Sequence, residues 1–437
     1  MSQTSRPAKR FHHVLLLLLS VLLMCLQTAS VFAADDPPET QCKSVYLYDQ
    51  TTGEVLYEKK ADEPRTPAST TKIMTAALVL ENVDDLDAEV KIPGDAVFWV
   101  GSHMGLLEGE VLTVRQLLEA LMVCSANDAA RALAIYVAGS QKKFVKMMND
   151  KAKAIWAVHT HYLNPNGFTE SWDHVTTARD MGLIVDYAFT VDGFAELVST
   201  KRITIPATNK SDKRIYRNTN LLLWDDQTTL YVNGKARVPK YEGAFGVKTG
   251  MMGRAGYCLV AGAERDGTRL IAVCLRGEDE NYRFEDSIAL FDWAFENYET
   301  RQVIEPGTSF GTVHVEGAEQ PEAEAYCEDG LLMTVDKKNE ESGSYETVLY
   351  QTVSAPLSKG DQVGYIRYTK TNGESARLPL TVRDAVPEGG FWTKYFETKQ
   401  EFHTVVSMAA VCAVVVLLLL VVLICRHAKK KKGKRNA

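Results

Sequence analysis

Cysteine is scarce in this chain, with eight among 437 residues. One lies near the start and two, Cys412 and Cys425, in or beside a C-terminal apolar run, which leaves Cys42, Cys124, Cys258, Cys274 and Cys327. Five thiols cannot all pair and their spacing matches no metal signature, so buried free thiols are expected rather than a disulfide framework or a metal centre. Other shortages narrow the field further. The His-Thr-His at 159–161 has no HExxH and no third ligand with it, and reads as surface histidines. The glycines between 243 and 256 lack the lysine-serine ending of a phosphate loop. There is no internal repeat. Basic charge is also short: three of the 49 Lys and Arg sit in the first 34 residues and seven in the last twelve, so 39 face all 56 acidic residues in between. A surface of that sign argues against nucleic acid as a partner.

What is present begins with two apolar segments at the ends. Residues 1–34 combine Arg6, Lys9 and Arg10 with an apolar run from Val14 to Leu26 and small residues at Ala33 and Ala34, the pattern of a secretory signal peptide. Residues 405–425 carry no charge and are long enough to cross a bilayer as a helix. The basic stretch 426–437 follows, and the positive-inside rule places it in the cytoplasm, with everything between signal and anchor outside.

The 403 residues beyond the signal can bury the cores of two domains. Residues 43–60 alternate as a hairpin turning at Gly53, and a helix opens at Ser69. Thr113 and Gln116 stand at capping-box spacing before a second helix, which breaks at "CSAN" and resumes, placing Ser125 and Asn127 in a short connection. Residues 255–277 read as two strands joined at Asp266-Gly267, "FGVKTG" as a third, and 283–298 as a helix. Strands, many helices, strands and a last helix make an α+β domain with an antiparallel sheet over 35–300. Short alternating runs over 301–385 predict a small all-β domain, with a linker over 386–404.

Three polar triplets can carry chemistry. Ser69 and Lys72 form S-x-x-K, and residues three apart share a helix face, so the amine can reach the hydroxyl. The rest of that helix, "IMTAALVL", is apolar all round and predicts burial. A buried lysine loses hydration and can be a neutral base, which a serine needs to become a nucleophile. Ser125 and Asn127, in "SAN", could relay a proton and hold an amide; helix capping is the plainer use of such residues. Lys248 and Thr249, in "KTG", could bind an anion while Gly250 admits a substrate backbone; a surface-strand lysine beside a turn is the plainer use there.

S-x-x-K, S-x-N and K-T-G in that order are the signature set of serine β-lactamases and penicillin-binding proteins. The chain resembles the serine D-alanyl-D-alanine carboxypeptidases, the low-molecular-mass penicillin-binding proteins of peptidase S11 type. The likeness extends through "PASTTKIMTA", "GSHMGLLEGEVLTVRQLL", "SANDAARALA", "TTARDM", "RNTNLLL" and "GVKTG", over about residues 40–300, and "APLSKGDQVGYI" is similar to that family's C-terminal β domain. The resemblance implies a β-lactamase/transpeptidase-like fold. It makes Ser69 the acylated nucleophile, Lys72 its base, and Ser125 and Asn127 the relay and positioning groups. Lys248 and Thr249 would receive the terminal carboxylate of a peptidoglycan stem ending in D-Ala-D-Ala, with Gly250 admitting its backbone, and the backbone N–H groups of Ser69 and Met251 would form the oxyanion hole. Such a site needs no metal or cofactor, and β-lactam antibiotics would acylate it. The implied location is the bacterial cell membrane, single-pass, with the catalytic domain outside.

The chain departs from the pattern in places. Met252 stands where a threonine is frequent, implying weaker or rearranged carboxylate binding, and Asn166 in "NPNG" stands where a histidine is common. Relatives often attach through an amphipathic helix, whereas 405–425 can span. Two other readings compete. A serine β-lactamase would need a glutamate-activated water, and no convincing E-x-x-x-N occurs between the second and third motifs. A catalytically weak wall-binding protein keeping the fold would be signalled by loss of Ser69 or Lys72, and both are present.

Overall fold

The computed structural model describes residues 36–338, 343–370, 373, 375–390, 395–396 and 399–433; the signal-peptide reading of 1–34 and the end of the basic tail lie outside the described residues. The chain packs as two compact units, the first running to Arg301 and including Met333–Glu340, the second comprising Gln302–Leu332 and the chain beyond Glu341.

The first unit is built on a five-stranded antiparallel sheet. Strands β1 (Ser44–Asp49) and β2 (Val55–Lys59) form the hairpin turning at Gly53, whose φ of 75° suits a residue without a side chain. Strands β3 (Ala244–Met252), β4 (Gly256–Arg265) and β5 (Thr268–Gly277) follow, giving the order β2-β1-β5-β4-β3. Asp266 and Gly267 both have positive φ, 50° and 81°, as the tight β4–β5 turn requires. β1 is buried along its whole length. Successive side chains point to opposite faces, so Val45 and Leu47 meet Phe284, Ile288 and Phe291, while Tyr46 and Tyr48 join the larger core beneath the other helices. The sheet is therefore covered on both sides, and its near-continuous apolar runs follow from that.

A short helix, Phe194–Ser199, and six longer ones surround the sheet: α1 (Lys72–Asn82), α2 (Val114–Val123), α3 (Asn127–Ala138), α4 (Gln141–Ala154), α5 (Ala178–Phe189) and α6 (Tyr282–Asn297). The capping box at the start of α2 is formed by Thr113 and Gln116. Two boundaries differ from the sequence reading. Ser69 lies in a 3-10 turn, Ala68–Thr71, and the α-helix proper starts at Lys72; Asn127 is the first residue of α3 rather than part of the connection. Ala68 and Ser125 both adopt positive φ, 49° and 60°, which keeps an α-helix from running back through either residue.

Cys42, Cys124, Cys258, Cys274 and Cys327 are free thiols, four buried and Cys124 half-buried. Linear spacing hid one grouping among them: Cys42, Cys274 and Asp286 bring ligand-type atoms within 4.8 Å of one another. Asp286 uses its oxygens to accept the backbone N–H groups of Gln41 (2.9 Å) and Cys42 (2.7 Å), which fastens the segment before β1 to α6.

In the second unit, strands β6 (Thr308–Glu316), β7 (Glu322–Cys327), β8 (Ser344–Leu349), β9 (Val353–Ser354), β10 (Gln362–Thr369) and β11 (Ser375–Thr381) form a sheet in the order β8-β10-β11-β7-β6-β9. Its core gathers Val313, Val315, Ala325, Val363, Ile366 and Leu380. Helix α7 (Lys399–Gly433) extends beyond both ends of the apolar segment at 405–425, and its apolar side chains are exposed. It is long and apolar enough to cross a membrane.

One carboxylate fixes the loop that precedes α2. Asp128, fully buried in the first turn of α3, accepts the backbone N–H groups of Met104 (3.1 Å), Gly105 (2.9 Å), Leu106 (2.9 Å) and Ala129 (3.0 Å). Removing it strands several buried donors. We expect Asp128→Ala to lower unfolding stability by about 3 kcal/mol or more, measured by urea titration; a loss within about 0.5 kcal/mol would show that water replaces the carboxylate at little cost.

Candidate active site

Lys72 is fully buried at the head of α1, and its Nζ has four polar neighbours. Ser69 Oγ is at 2.9 Å, Asn127 Oδ1 at 2.8 Å, the Asn166 carbonyl at 2.9 Å and Ser125 Oγ at 3.4 Å. Burial pushes the amine well below the usual lysine range, and the nearby positive charge of Lys248 pushes it further. A neutral amine has two N–H donors and one lone pair. Asn127 Oδ1 and the Asn166 carbonyl can only accept, so they take both N–H groups, and the lone pair is left for the Ser69 hydroxyl. The orientation of the Asn127 amide is set independently, because its Nδ2 donates to the Val100 carbonyl at 3.1 Å.

Ser69 itself makes no capping bond to the helix that follows. Thr70 holds the turn instead, its hydroxyl donating to the Pro67 carbonyl at 2.7 Å. Thr71 Oγ1 is 2.9 Å from His174 Nε2. His174 accepts the Leu163 N–H at Nδ1 (3.1 Å), which leaves the ring proton on Nε2 to be donated to Thr71. Burial lowers this imidazole to about 4, so it stays neutral at ordinary pH. Ser125 and Asn127 are buried, and neither caps α3 with its side chain.

The third triplet lies on β3, the edge strand of the sheet. Lys248 is buried, and its one hydrogen bond among the described residues runs to the Thr249 carbonyl at 3.2 Å. Burial lowers it to about 7. A Cβ on Gly250 would lie 3.1 Å from the Pro67 carbonyl and 3.3 Å from Ala68 Cβ, so glycine is what lets β3 pack against the turn carrying Ser69. Met251 is exposed on the next position, while Met252 is buried in the core, with Val247 and Ala255 among its members.

All three triplets therefore converge. His159 and His161 are exposed.

Three contacts were not legible from motifs. Asn166 contributes its main-chain carbonyl, which no side-chain pattern reports. Arg283, in the first turn of α6, donates from Nη1 to the Gly250 carbonyl at 2.9 Å, and Thr219 Oγ1 lies 2.6 Å from Thr249 Oγ1. The only linear signal was indirect: "NPNG" and "RNTN" stood out as blocks without a chemical role assigned.

A family model described as D-alanyl-D-alanine carboxypeptidase, peptidase S11, matches residues 31–279, and one described as the penicillin-binding protein 5 C-terminal domain matches 298–388. Among curated relatives, the D-alanyl-D-alanine carboxypeptidase DacF of Bacillus subtilis is 30% identical over 400 residues, covering 87% of this chain and 98% of its own. DacC of Escherichia coli is 32% identical over 392 residues, covering 86% and 92%. Among solved structures, penicillin binding protein 5 from Haemophilus influenzae superposes with a TM-score of 0.70 at 27% identity, over 81% of this chain and 99% of that one.

The loop bearing Asn166 leaves no slack. Gly167 has φ of 77°, and a Cβ there would sit 1.8 Å from the Ala68 carbonyl and 2.7 Å from Thr71 Oγ1. Gly167→Ala must move either the Asn166 carbonyl or the Ser69 turn. We expect kcat/KM to fall about 10²-fold, read by D-alanine release, with the far-UV circular dichroism unchanged; an unaltered rate would mean that the Lys72–Asn166 contact does not position the amine.

Proposed function

The chain belongs to the D-alanyl-D-alanine carboxypeptidase family, and from that premise we propose that it trims the terminal D-alanine from peptidoglycan stem peptides through an acyl-enzyme on Ser69. The observation that carries the reading is the fully buried Lys72 amine, which burial holds well below the usual lysine range, 2.9 Å from Ser69 Oγ. Lys72 takes the hydroxyl proton as Ser69 attacks the carbonyl of the penultimate D-alanine. The backbone N–H groups of Ser69 and Met251 stabilise the oxyanion. As the intermediate collapses, Ser125 Oγ, 3.4 Å from the amine, passes the proton to the departing nitrogen. Water then hydrolyses the ester by the same route in reverse. Lys248, Thr249 and Gly250 receive the carboxylate of the leaving D-alanine, and Asn127 positions the acyl side. Residues 35–300 are on this reading the catalytic domain, 301–385 a β domain, 386–404 a linker, and 405–425 a single-pass anchor with the basic tail 426–437 in the cytoplasm. The exposed apolar face of α7 and the charge asymmetry at its end support that placement.

A β-lactam presents a strained amide to the same serine. Intact-protein mass spectrometry after benzylpenicillin should show one adduct, mapped to Ser69, and Ser69→Ala should lose both the adduct and D-alanine release. An adduct retained by Ser69→Ala would point to another nucleophile. Lys72→Arg cannot supply a neutral base, and we expect D-alanine release about 10²–10⁴-fold slower.

The pH dependence follows from the two lysines. Lys72 must be neutral, so activity is lost as pH falls through its depressed pKa. Lys248 must be charged to hold a carboxylate, so kcat/KM falls as pH rises through about 7. A bound carboxylate stabilises the charged form, so the alkaline limb of kcat should lie at higher pH than that of kcat/KM. Coincident alkaline limbs, or their survival in Lys248→Gln, would remove Lys248 from this role.

A further inference from the structure

The mechanism at Ser69 makes no use of Cys42, Cys274 or Asp286. Two thiols and a carboxylate nevertheless meet, with atoms within 4.8 Å of one another, although they come from three parts of the chain: the segment ahead of β1, strand β5 and helix α6. Both cysteines are fully buried and Asp286 is 3% exposed.

A carboxylate so far from water is expected to be paired with a cation or bound to a metal. Asp286 has no ion pair among the described residues. Its Oδ1 accepts the Gln41 N–H and its Oδ2 the Cys42 N–H, which uses one lone pair on each oxygen and leaves another free. Bonds of this kind orient a ligand, as the outer donors of metal sites do. The spacing is also suitable. In a tetrahedral site, metal–sulfur bonds of about 2.3 Å and metal–oxygen bonds of about 2.1 Å set the ligand atoms about 3.6–3.8 Å apart, so the trio is within about 1 Å of that arrangement. A direct disulfide fits less well. The β1–β5 register pairs Val45 with Cys274, so Cys42 lies three residues beyond that pair. Such a stagger suits an atom held between the sulfurs better than an S–S bond, which needs Cα atoms within about 7 Å.

We propose that Cys42, Cys274 and Asp286 bind one divalent cation of zinc type, a structural metal that fastens the start of β1 to β5 and α6. Two thiolates select a soft or borderline ion over magnesium or calcium. On binding, each thiol releases its proton to solvent, and no electrons are exchanged. A fourth ligand can come from water or from Ser287 Oγ, 3.6 Å from Cys274 Sγ. The site is independent of the carboxypeptidase reading.

The test uses the full chain in detergent, stripped of metal and kept reduced. Co2+ alone should bind at one ion per chain and give thiolate-to-cobalt charge-transfer absorption in the near ultraviolet, which Zn2+ should abolish by displacement. Zn2+ at about a hundredfold excess over its Kd should raise Tm by about 5 °C or more. Cys42→Ala and Cys274→Ala should each remove the absorption and the Tm shift, with benzylpenicillin acylation showing that each variant is folded. Cys258→Ala, at a buried thiol outside the trio, should keep both signals. Absence of the charge-transfer band in wild type overturns the site without recourse to any variant. So would a band that persists in either variant of the trio, or a Cys42–Cys274 disulfide in protein isolated anaerobically without reductant.

Discussion

A buried amine with three obligate neighbours is the constraint around which the first unit is arranged. Taking a charged lysine fully out of water costs several kcal/mol, so burial favours the neutral amine, whose two N–H groups need two acceptors in fixed places. Asn127 Oδ1 and the Asn166 carbonyl supply them at 2.8 and 2.9 Å. The dependence is mutual: without the amine, both acceptors would be buried and unpaired, at a cost of about 1–3 kcal/mol each. The hydrogen bonds of Lys72 are thus also what joins α1, α3 and the 164–167 loop.

The electrostatics around this point are lopsided. Lys72, Lys248 and Arg283 are all largely buried in the same region, and burial depresses each of them. Asp128, the carboxylate that bears on Lys72, already spends its oxygens on four backbone N–H groups. Lys248 and Arg283 therefore have no carboxylate hydrogen-bonded to them among the described residues. A bound anion would favour the charged form of Lys248, which burial disfavours.

Much of the architecture was legible because periodicity reports burial. The alternation over 43–60 reads as a hairpin turning at Gly53, and "IMTAALVL" reads as a buried helix; the structure has both, although β1 proves buried on both faces. The Asp266-Gly267 turn and the Thr113–Gln116 capping box are local chemistry, and short-range patterns capture local chemistry well. The site was legible only to the extent that it is made of side chains in recurring triplets. The Asn166 carbonyl and the Arg283 contact to Gly250 use main-chain atoms, which every residue has, so no spacing could single them out. The Cys42–Cys274–Asp286 grouping failed for a different reason, since more than two hundred residues separate the two cysteines and only the β1–β5 pairing unites them.

The same distinction between main chain and side chain limits what the two unusual positions can do. Asn166 meets Lys72 through its carbonyl, and its side chain is turned to its own loop, accepting the Phe168 N–H at 2.9 Å. A change of residue type there leaves the contact to the amine available as long as Gly167 keeps the backbone in place. Met252 alternates with Met251 on β3, so its side chain is buried in the hydrophobic core while that of Met251 is exposed. Whatever a hydroxyl would add at position 252 must be supplied from elsewhere, and Thr249, paired with Thr219 at 2.6 Å beside Lys248, is the hydroxyl placed to do it.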